Sequence, residues 1–388
     1  MFSLFLIGLT SLIAVFCYLI MPDHTPMANR MCLPISNQPP GFKVQMLRVV
    51  ENKQPEKQNL FSKILHGRRT NEEWIAINGY RFDGNDIVIK EYTSASSSEA
   101  SGEFIERRYN LANVVFPLNP AKKLSSENGY LSFETINGEL HHENAASLQA
   151  LIGQKFIFTK TFLLGTDRFG RDLLSRLMAG SRITMIVGLI AVVISLFIGI
   201  TLGAVAGFFR GTADSAVMWL INVTWSIPTL LLVIAITLVL GKGFSQVFIA
   251  VGLTMWVEVA RLVRTQFFTL RETEFVSASR ALGFSNTRII LRHILPNILG
   301  PILVVAASNF SSAVLIESGL SFLGIGAQPP IPTWGGMIKE NYGYIIIPAS
   351  AYLALLPGVA IMMVSMAFTF LGNGLRDALD SRQQVSIV

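Results

Sequence analysis

Glu274-Phe-Val-Ser-Ala-Ser-Arg-Ala-Leu-Gly283-Phe-Ser-Asn-Thr-Arg-Ile-Ile-Leu-Arg-His-Ile-Leu-Pro296-Asn297 is a charged, helix-forming stretch between apolar runs. Its chemistry predicts a short helix over Thr273 to Leu282. Gly283 ends that helix, because glycine takes the left-handed backbone of a helix C-terminus at no steric cost. Ser285 or Asn286 is suited to cap a second helix, and Pro296 precedes the next apolar run. A helix–glycine–helix hairpin between membrane segments has a shape that another protein can grip.

The surroundings are those of a membrane protein. Charged residues make up 14% of the 388 positions, against about 25% in soluble domains. Residues 1–21 hold no Asp, Glu, Lys or Arg; residues 22–160 hold 31 in 139 positions; residues 161–388 hold 25 in 228. A membrane region is therefore interrupted by a soluble insert of domain size. Uncharged runs predict six spans. The first is Met1 to about Ile20, within a segment 1–21 expected to stay as an uncleaved anchor, since no basic n-region or A-x-A site accompanies it. The second lies between Arg182 and Arg210, the third between Asp214 and Lys242, and the fourth follows Lys242 and is weakened by Glu258 and Arg261. The fifth lies between Arg292 and Glu317, and the last begins near Ile346 and ends before Arg376. Gly199, Gly203 and Gly207 share one face of the second span, an arrangement that favours close helix packing over a ligand role.

Six spans place both termini on one side. Arg264, Arg271, Arg280, Arg288 and Arg292, with Arg376 and Arg382 in the tail, assign that side to the cytoplasm by the positive-inside rule. Five of the six net positive charges lie after residue 160, so the pI of about 9.4 follows from membrane topology and no nucleic-acid partner is expected. Cys17 and Cys32 are not expected to pair.

The insert, residues 22–160, is then extracytoplasmic. Its part from 42 onward has the alternation of β-structure. Trp74–Ile77 and Ile87–Ile89 flank the turn Asp83-Gly84-Asn85-Asp86, and Asn137-Gly138 suggests a two-residue hairpin turn after Phe133–Ile136. Ser94 to Ser101 is a Ser-rich loop, and Glu143 to Leu151 is a short helix candidate. His141-His142 point to opposite faces of a strand and do not suit one metal ion. No G-x-x-x-x-G-K-[ST], metal cluster, triad or carboxylate pair is present, so catalysis in this chain is not expected.

The 274–297 stretch resembles the EAA loop of ABC-transporter permeases of the dipeptide/oligopeptide/nickel family. Gly165-Thr-Asp-Arg-Phe-Gly-Arg-Asp-Leu-Leu-Ser-Arg-Leu-Met-Ala-Gly-Ser-Arg182 resembles that family's signature before helix two. Ser321-Phe-Leu-Gly-Ile-Gly326, Pro332-Thr-Trp-Gly-Gly336 and Leu375-Arg-Asp-Ala-Leu-Asp380 resemble its C-terminal half. Two departures stand out. Ser277 replaces the Glu of the EAA triplet, followed by Ala278 and Ser279, and about 120 residues separate Pro39-Pro40 from Leu164-Gly165 where the family has a few tens.

The resemblance implies an all-α polytopic protein of the bacterial inner membrane. It has the six-helix type I importer fold, with a β-rich extracytoplasmic insert after helix one and a transport core over 161–388. It implies alternating access for peptides or related small solutes, a second permease subunit (expected as a heterodimer), an external binding protein and ATPase partners. ATP and Mg would be bound by those ATPases, with no cofactor in this chain. The coupling loop 264–296 would engage the ATPase through Glu274, Ser277, Ala278, Ser279, Arg280, Gly283 and Pro296. Gly165, Thr166, Asp167, Gly170, Arg171 and Asp172 form the signature, with the three charged residues expected in salt bridges at the start of helix two. Asn309, Ser311 and Ser312 are expected to line a polar path, and Glu317 to be a hydrogen-bonded structural acid within a span. The insert is expected to dock the binding protein or the outer face of the partner permease. A reading of another class is an ion-coupled carrier or a membrane-anchored receptor acting through the insert. It would require paired carboxylates in repeat-related broken helices, and the sequence has none.

Overall fold

The computed structural model describes residues 1–54, 58–93, 105–241 and 243–379. The Ser94–Ser101 loop, Lys242, and Asp380 and Arg382 of the tail lie outside the described residues. The chain forms two compact units. One comprises Met1–Val15, Gly180–Tyr342 and Ala354 onward; the other comprises Phe16–Ala179 and Gly343–Leu353.

Among the described residues, five helical runs are long and apolar enough to cross a membrane. They are α1 (Phe2–Ile20), α5 (Leu173–Phe209), Phe244–Leu270, Asn286–Leu323 and α13 (Tyr352–Leu379). A sixth arises only if α6 (Gly211–Trp225) and α7 (Thr229–Leu240) count as one span. This corrects the third expected span, which is not straight but bent by 93°. The cause is Pro228, which has no N–H to donate and whose ring excludes the preceding helical turn. The second span also starts earlier than the uncharged run suggested. α5 has 37 residues because Arg176 and Arg182 are built into its first turns; that is about 55 Å of helix. The last span starts at Tyr352, after turns around Pro348, and not at Ile346.

The glycine face of α5 packs on α9 (Trp256–Leu270), which follows α8 (Phe244–Thr254). A Cβ at Gly199 would lie 2.5 Å from Val259 Cβ, one at Gly203 2.6 Å from the Ala260 carbonyl oxygen, and one at Gly207 2.5 Å from Phe267 Cβ. Each backbone thus occupies the space a side chain would need. Gly203→Val is expected to lower thermal stability in detergent by about 1–3 kcal/mol through overpacking. Gly8→Val, with nothing within 4 Å of the added Cβ, should leave the melting temperature unchanged.

The second unit carries the sheet, which follows α1 in the chain. Five antiparallel strands lie in the order β4 (Glu106–Asn110), β3 (Asp86–Glu91), β2 (Glu72–Asp83), β1 (Phe42–Val50), β8 (Ile157–Phe162). Strand alternation sends Leu47, Val49, Ile75 and Ile77 to one face, where they join Leu111, Leu131, Phe133 and Leu148. Those partners come from α3 (Leu111–Val115), α4 (Ala145–Leu151) and a three-stranded sheet of β5 (Ser125–Glu127), β6 (Tyr130–Glu134) and β7 (Leu140–Asn144). Val44, Met46 and Ala76 point the other way and pack on Cys32, Ile35 and Phe162. The sheet centre is therefore buried on both faces.

The turn at Asp83–Asp86 is a two-residue connection with Gly84 at φ +61°. The expected two-residue turn at Asn137-Gly138 is instead a three-residue one. Thr135 N donates to Glu139 O at 2.9 Å, and only Gly138 takes positive φ, at +81°. A tight turn followed by one left-handed residue matches strand twist as a two-residue turn does. Glu143 and Asn144 extend β7, and α4 starts at Ala145 because the Asn144 side chain accepts from Ala146 N. His141 stacks on Phe133 and Phe116, while His142 stacks on Tyr130 and shares a hydrogen bond with Ser132 Oγ. No disulfide joins Cys17 and Cys32, both buried.

Candidate functional site

The signature stretch folds as a clasp around residues 32–39, within the sheet-bearing unit. Gly165 and Gly170 take φ +77° and +70°, and added Cβ atoms would collide with the Gln38 and Cys32 carbonyls. Thr166 Oγ1 donates to Ile35 O at 2.5 Å and accepts from Gln38 N at 2.9 Å. Asn37 N donates to Asp167 O, and Cys32 N to Phe169 O.

At the centre is Asp167, 1% exposed. Its Oδ2 accepts from Arg171 Nε at 2.6 Å and lies 3.7 Å from Arg176 Nε; its Oδ1 accepts from the Phe169 and Arg171 backbone N–H groups. Asp172 departs from expectation. It is a helix cap rather than a salt-bridge partner, because its Oδ1 accepts from Leu174 N and Ser175 N at the start of α5. Burial pushes the Asp172 carboxyl up from its ordinary value despite the Lys160 ammonium nearby, and burial pushes Lys160 down.

The stretch 274–297 forms the expected helix–glycine–helix hairpin. α10 (Glu274–Ala281) is closed by Gly283 at φ +73°, with Gly283 N on Arg280 O and Phe284 N on Ser279 O. Ser285, rather than Asn286, caps the following helix through its Oγ on Arg288 N. That helix widens over Ile289–Ile294, tightens over Leu295–Ile298 and runs into α11 (Leu299–Leu323). Pro296 therefore sits inside this continuous run and not ahead of it; its missing N–H is accommodated by the tightened turn.

Val276 and Ser279 face inward, Val276 into a core with Val263, Phe267, Ile289 and Ile294. Glu274, Phe275, Ser277, Ala278, Arg280 and Leu282 face out. Ser279 Oγ donates to Phe275 O at 2.8 Å. The hairpin is tied to the end of α5. Arg210 Nη2 lies 2.7 Å from Glu272 Oε1, and Arg271 Nη1 donates to Phe208 O at 2.5 Å. Arg264, still within α9, forms a two-pronged pair with Asp214 of α6. Of the five arginines counted in the sequence, Arg264 and Arg271 are thus engaged within the fold, while Arg280, Arg288 and Arg292 are exposed.

A cleft of about 330 Å³ opens where α6 breaks into α7. Thr224, Trp225, Thr254, Glu258, Asn309 and Ser312 are among its lining residues. Asn309, 1% exposed, donates through Nδ2 to Met255 O at 3.3 Å and Ser195 Oγ at 3.5 Å. Met255 separates α8 from α9, so Asn309 pairs a carbonyl near that break. Ser312 lines the cleft, but Ser311 turns away from it and donates to Ser365 O at 2.9 Å, joining α11 to α13. Glu317 is buried further along α11, five residues beyond Ser312, accepting from Ser321 Oγ at 2.7 Å, and does not line the cleft. The cleft position of Glu258 and the pairing of Asp214 with Arg264 do not follow from counts of charged residues; for Glu258 the available signal is a carboxylate within an otherwise apolar run.

A family model described as binding-protein-dependent transport system inner membrane component matches residues 199–385. The dipeptide transport system permease protein DppC of Alkalihalophilus pseudofirmus is 40% identical over 220 residues, covering 57% of this chain and 72% of that protein. The di/tripeptide permease DppC of Pseudomonas aeruginosa is 42% identical over 221 residues, covering 57% and 72%. The oligopeptide permease OppC of Bacillus subtilis is 37% identical over 227 residues, covering 58% and 73%. A solved inward-facing MetNI methionine ABC transporter overlaps 52% of this chain and 95% of its own, at 19% identity and a TM-score of 0.44. The class is that of an inner-membrane permease. The chain belongs to the family of binding-protein-dependent transport inner-membrane components, the permease subunits of ABC importers.

Proposed function

We propose that this chain moves peptides or closely related small solutes inward, by alternating access driven by partner ATPases. The observation that carries the proposal is the Glu274–Ile298 hairpin. It is anchored inward by Val276, Ile289, Ile294 and Ile298, and outward it offers Phe275, Leu282 and the exposed cations Arg280, Arg288 and Arg292. An apolar ridge ringed by cations suits a groove on another protein. The relatives' names supply the cargo class, peptides.

Several finer assignments belong to the same proposal. The bent α6–α7 pair crosses the membrane once, giving six spans and a cytoplasmic hairpin. The sheet region at 22–160 lies outside, where the binding protein docks. A second, different permease subunit completes the pathway. ATP and Mg are held by the ATPases, and this chain performs no chemical step.

Co-expression with ATPase subunits and a second permease subunit provides the test. The complex should co-purify and, in proteoliposomes with its binding protein, accumulate labelled di- to pentapeptides only when ATP is present. A complex that hydrolyses ATP in response to the loaded binding protein but accumulates none of these peptides would exclude the peptide assignment.

A further inference from the structure

The cleft at the helix break contains a group without a role in the fold. Glu258 lies near the middle of the Phe244–Leu270 run and is exposed to the cleft. Among the described residues no hydrogen bond or ion pair engages it. The cation one turn away, Arg261, is stacked on the Trp225 ring at 3.6 Å. A carboxylate within a membrane segment is unfavourable unless it faces water or a partner, and such groups mark substrate or ion paths.

Three of the cleft's other polar groups, Thr224, Thr254 and Asn309, have a common character. Thr224 Oγ1 donates to Leu220 O at 2.9 Å, and Thr254 Oγ1 donates to Val251 O at 2.8 Å. Both hydroxyl protons are thus held by their own helices, which leaves lone pairs for anything in the cleft. Asn309 uses its amide N–H group on Met255 O and Ser195 Oγ, so its carbonyl oxygen is the end left to accept. Three acceptors beside one negative charge complement a ligand that donates and is positive, while Trp225, Thr229 and Ser312 bring N–H and O–H groups to the same lining. A primary ammonium has three N–H donors and no acceptor.

The geometry points to Glu258 as the group that receives the cargo's cationic ammonium, such as a peptide's free N-terminus, on its way through the membrane. This rests on the peptide-permease reading above. Glu258 works as a counter-charge in the cleft, with Thr224, Thr254 and Asn309 accepting the remaining N–H bonds.

The test is import of a labelled alanine tripeptide by proteoliposomes of the complete transporter, scored as peptide moved per ATP hydrolysed. Glu258→Gln keeps the shape and removes the charge; it should lower that ratio about tenfold, the worth of one charged hydrogen bond. ATP turnover and co-purification of the subunits should be unchanged. Glu258→Asp keeps the charge and should stay within about twofold of the parent. Parent-like import by the Gln variant overturns the inference. So does a loss shared by both variants together with ATP turnover, which would make Glu258 a contact between subunits. A parent complex that couples ATP hydrolysis to its binding protein yet imports no tripeptide would refute the peptide reading itself.

Discussion

Asp167→Ala is expected to cost about 3–5 kcal/mol, because it removes the carboxylate paired with the buried Arg171 guanidinium at 2.6 Å. The side chains of Asp167 and Arg171 are 1% and 2% exposed, so water cannot replace the lost carboxylate. The same substitution orphans the Phe169 and Arg171 backbone N–H groups that Asp167 Oδ1 now accepts. It also loosens the clasp, since Phe169 O accepts from Cys32 N and Asp167 O from Asn37 N. Cys32 reports on that local event. The residue is 9% exposed and burial pushes its thiol up, so maleimide labelling should be slow in the parent protein. In Asp167→Ala, a Cys17→Ser background should label rapidly at Cys32, with a lowered melting temperature in detergent. Asp167→Asn, which keeps the Oδ1 acceptor and loses the charge, should fall between. Parent-like labelling and melting in the Ala variant would show that the clasp does not depend on this ion pair.

The clasp shows how far residue types alone can carry a site. Gly165, Thr166, Asp167, Gly170 and Arg171 were legible as a unit through their resemblance to the permease family's signature before helix two. What they hold was not legible. Residues 32–39 are brought to them by the buried second face of the sheet, a contact between segments more than a hundred positions apart. The 274–298 hairpin was legible nearly to the residue because its determinants are local, a left-handed glycine and a serine cap. The third span failed for the complementary reason. A count of uncharged residues is blind to Pro228, which changes the path of the chain without changing its hydropathy. Glu258 was hidden by the same count, since its meaning depends on the cleft made by that bend.

Leu282→Asp is expected to separate the ATPases from an otherwise intact permease. Leu282 is 73% exposed at the last turn of α10, next to Gly283, and Phe275 is 40% exposed on the same helix. Neither belongs to the core that holds the hairpin, where Val276, Val263 and Phe267 are fully buried. A surface substitution outside such a core changes stability by no more than about 0.5 kcal/mol, so the variant should fold and melt as the parent does. In the docking proposed above, Leu282 loses its water on entering the ATPase groove, a transfer that contributes about 1.5–3 kcal/mol. Aspartate forfeits that gain and must in addition strip a carboxylate of its hydration. Together these weaken association by roughly a hundredfold or more. The measurement is ATPase retained on the tagged permease, with transport-coupled ATP turnover from the same preparation. Val276→Asp provides the contrast, because it buries a charge in the hairpin core and should lose stability and ATPase together. Full ATPase retention by Leu282→Asp would mean that the exposed ridge of α10 is not the surface the ATPase grips.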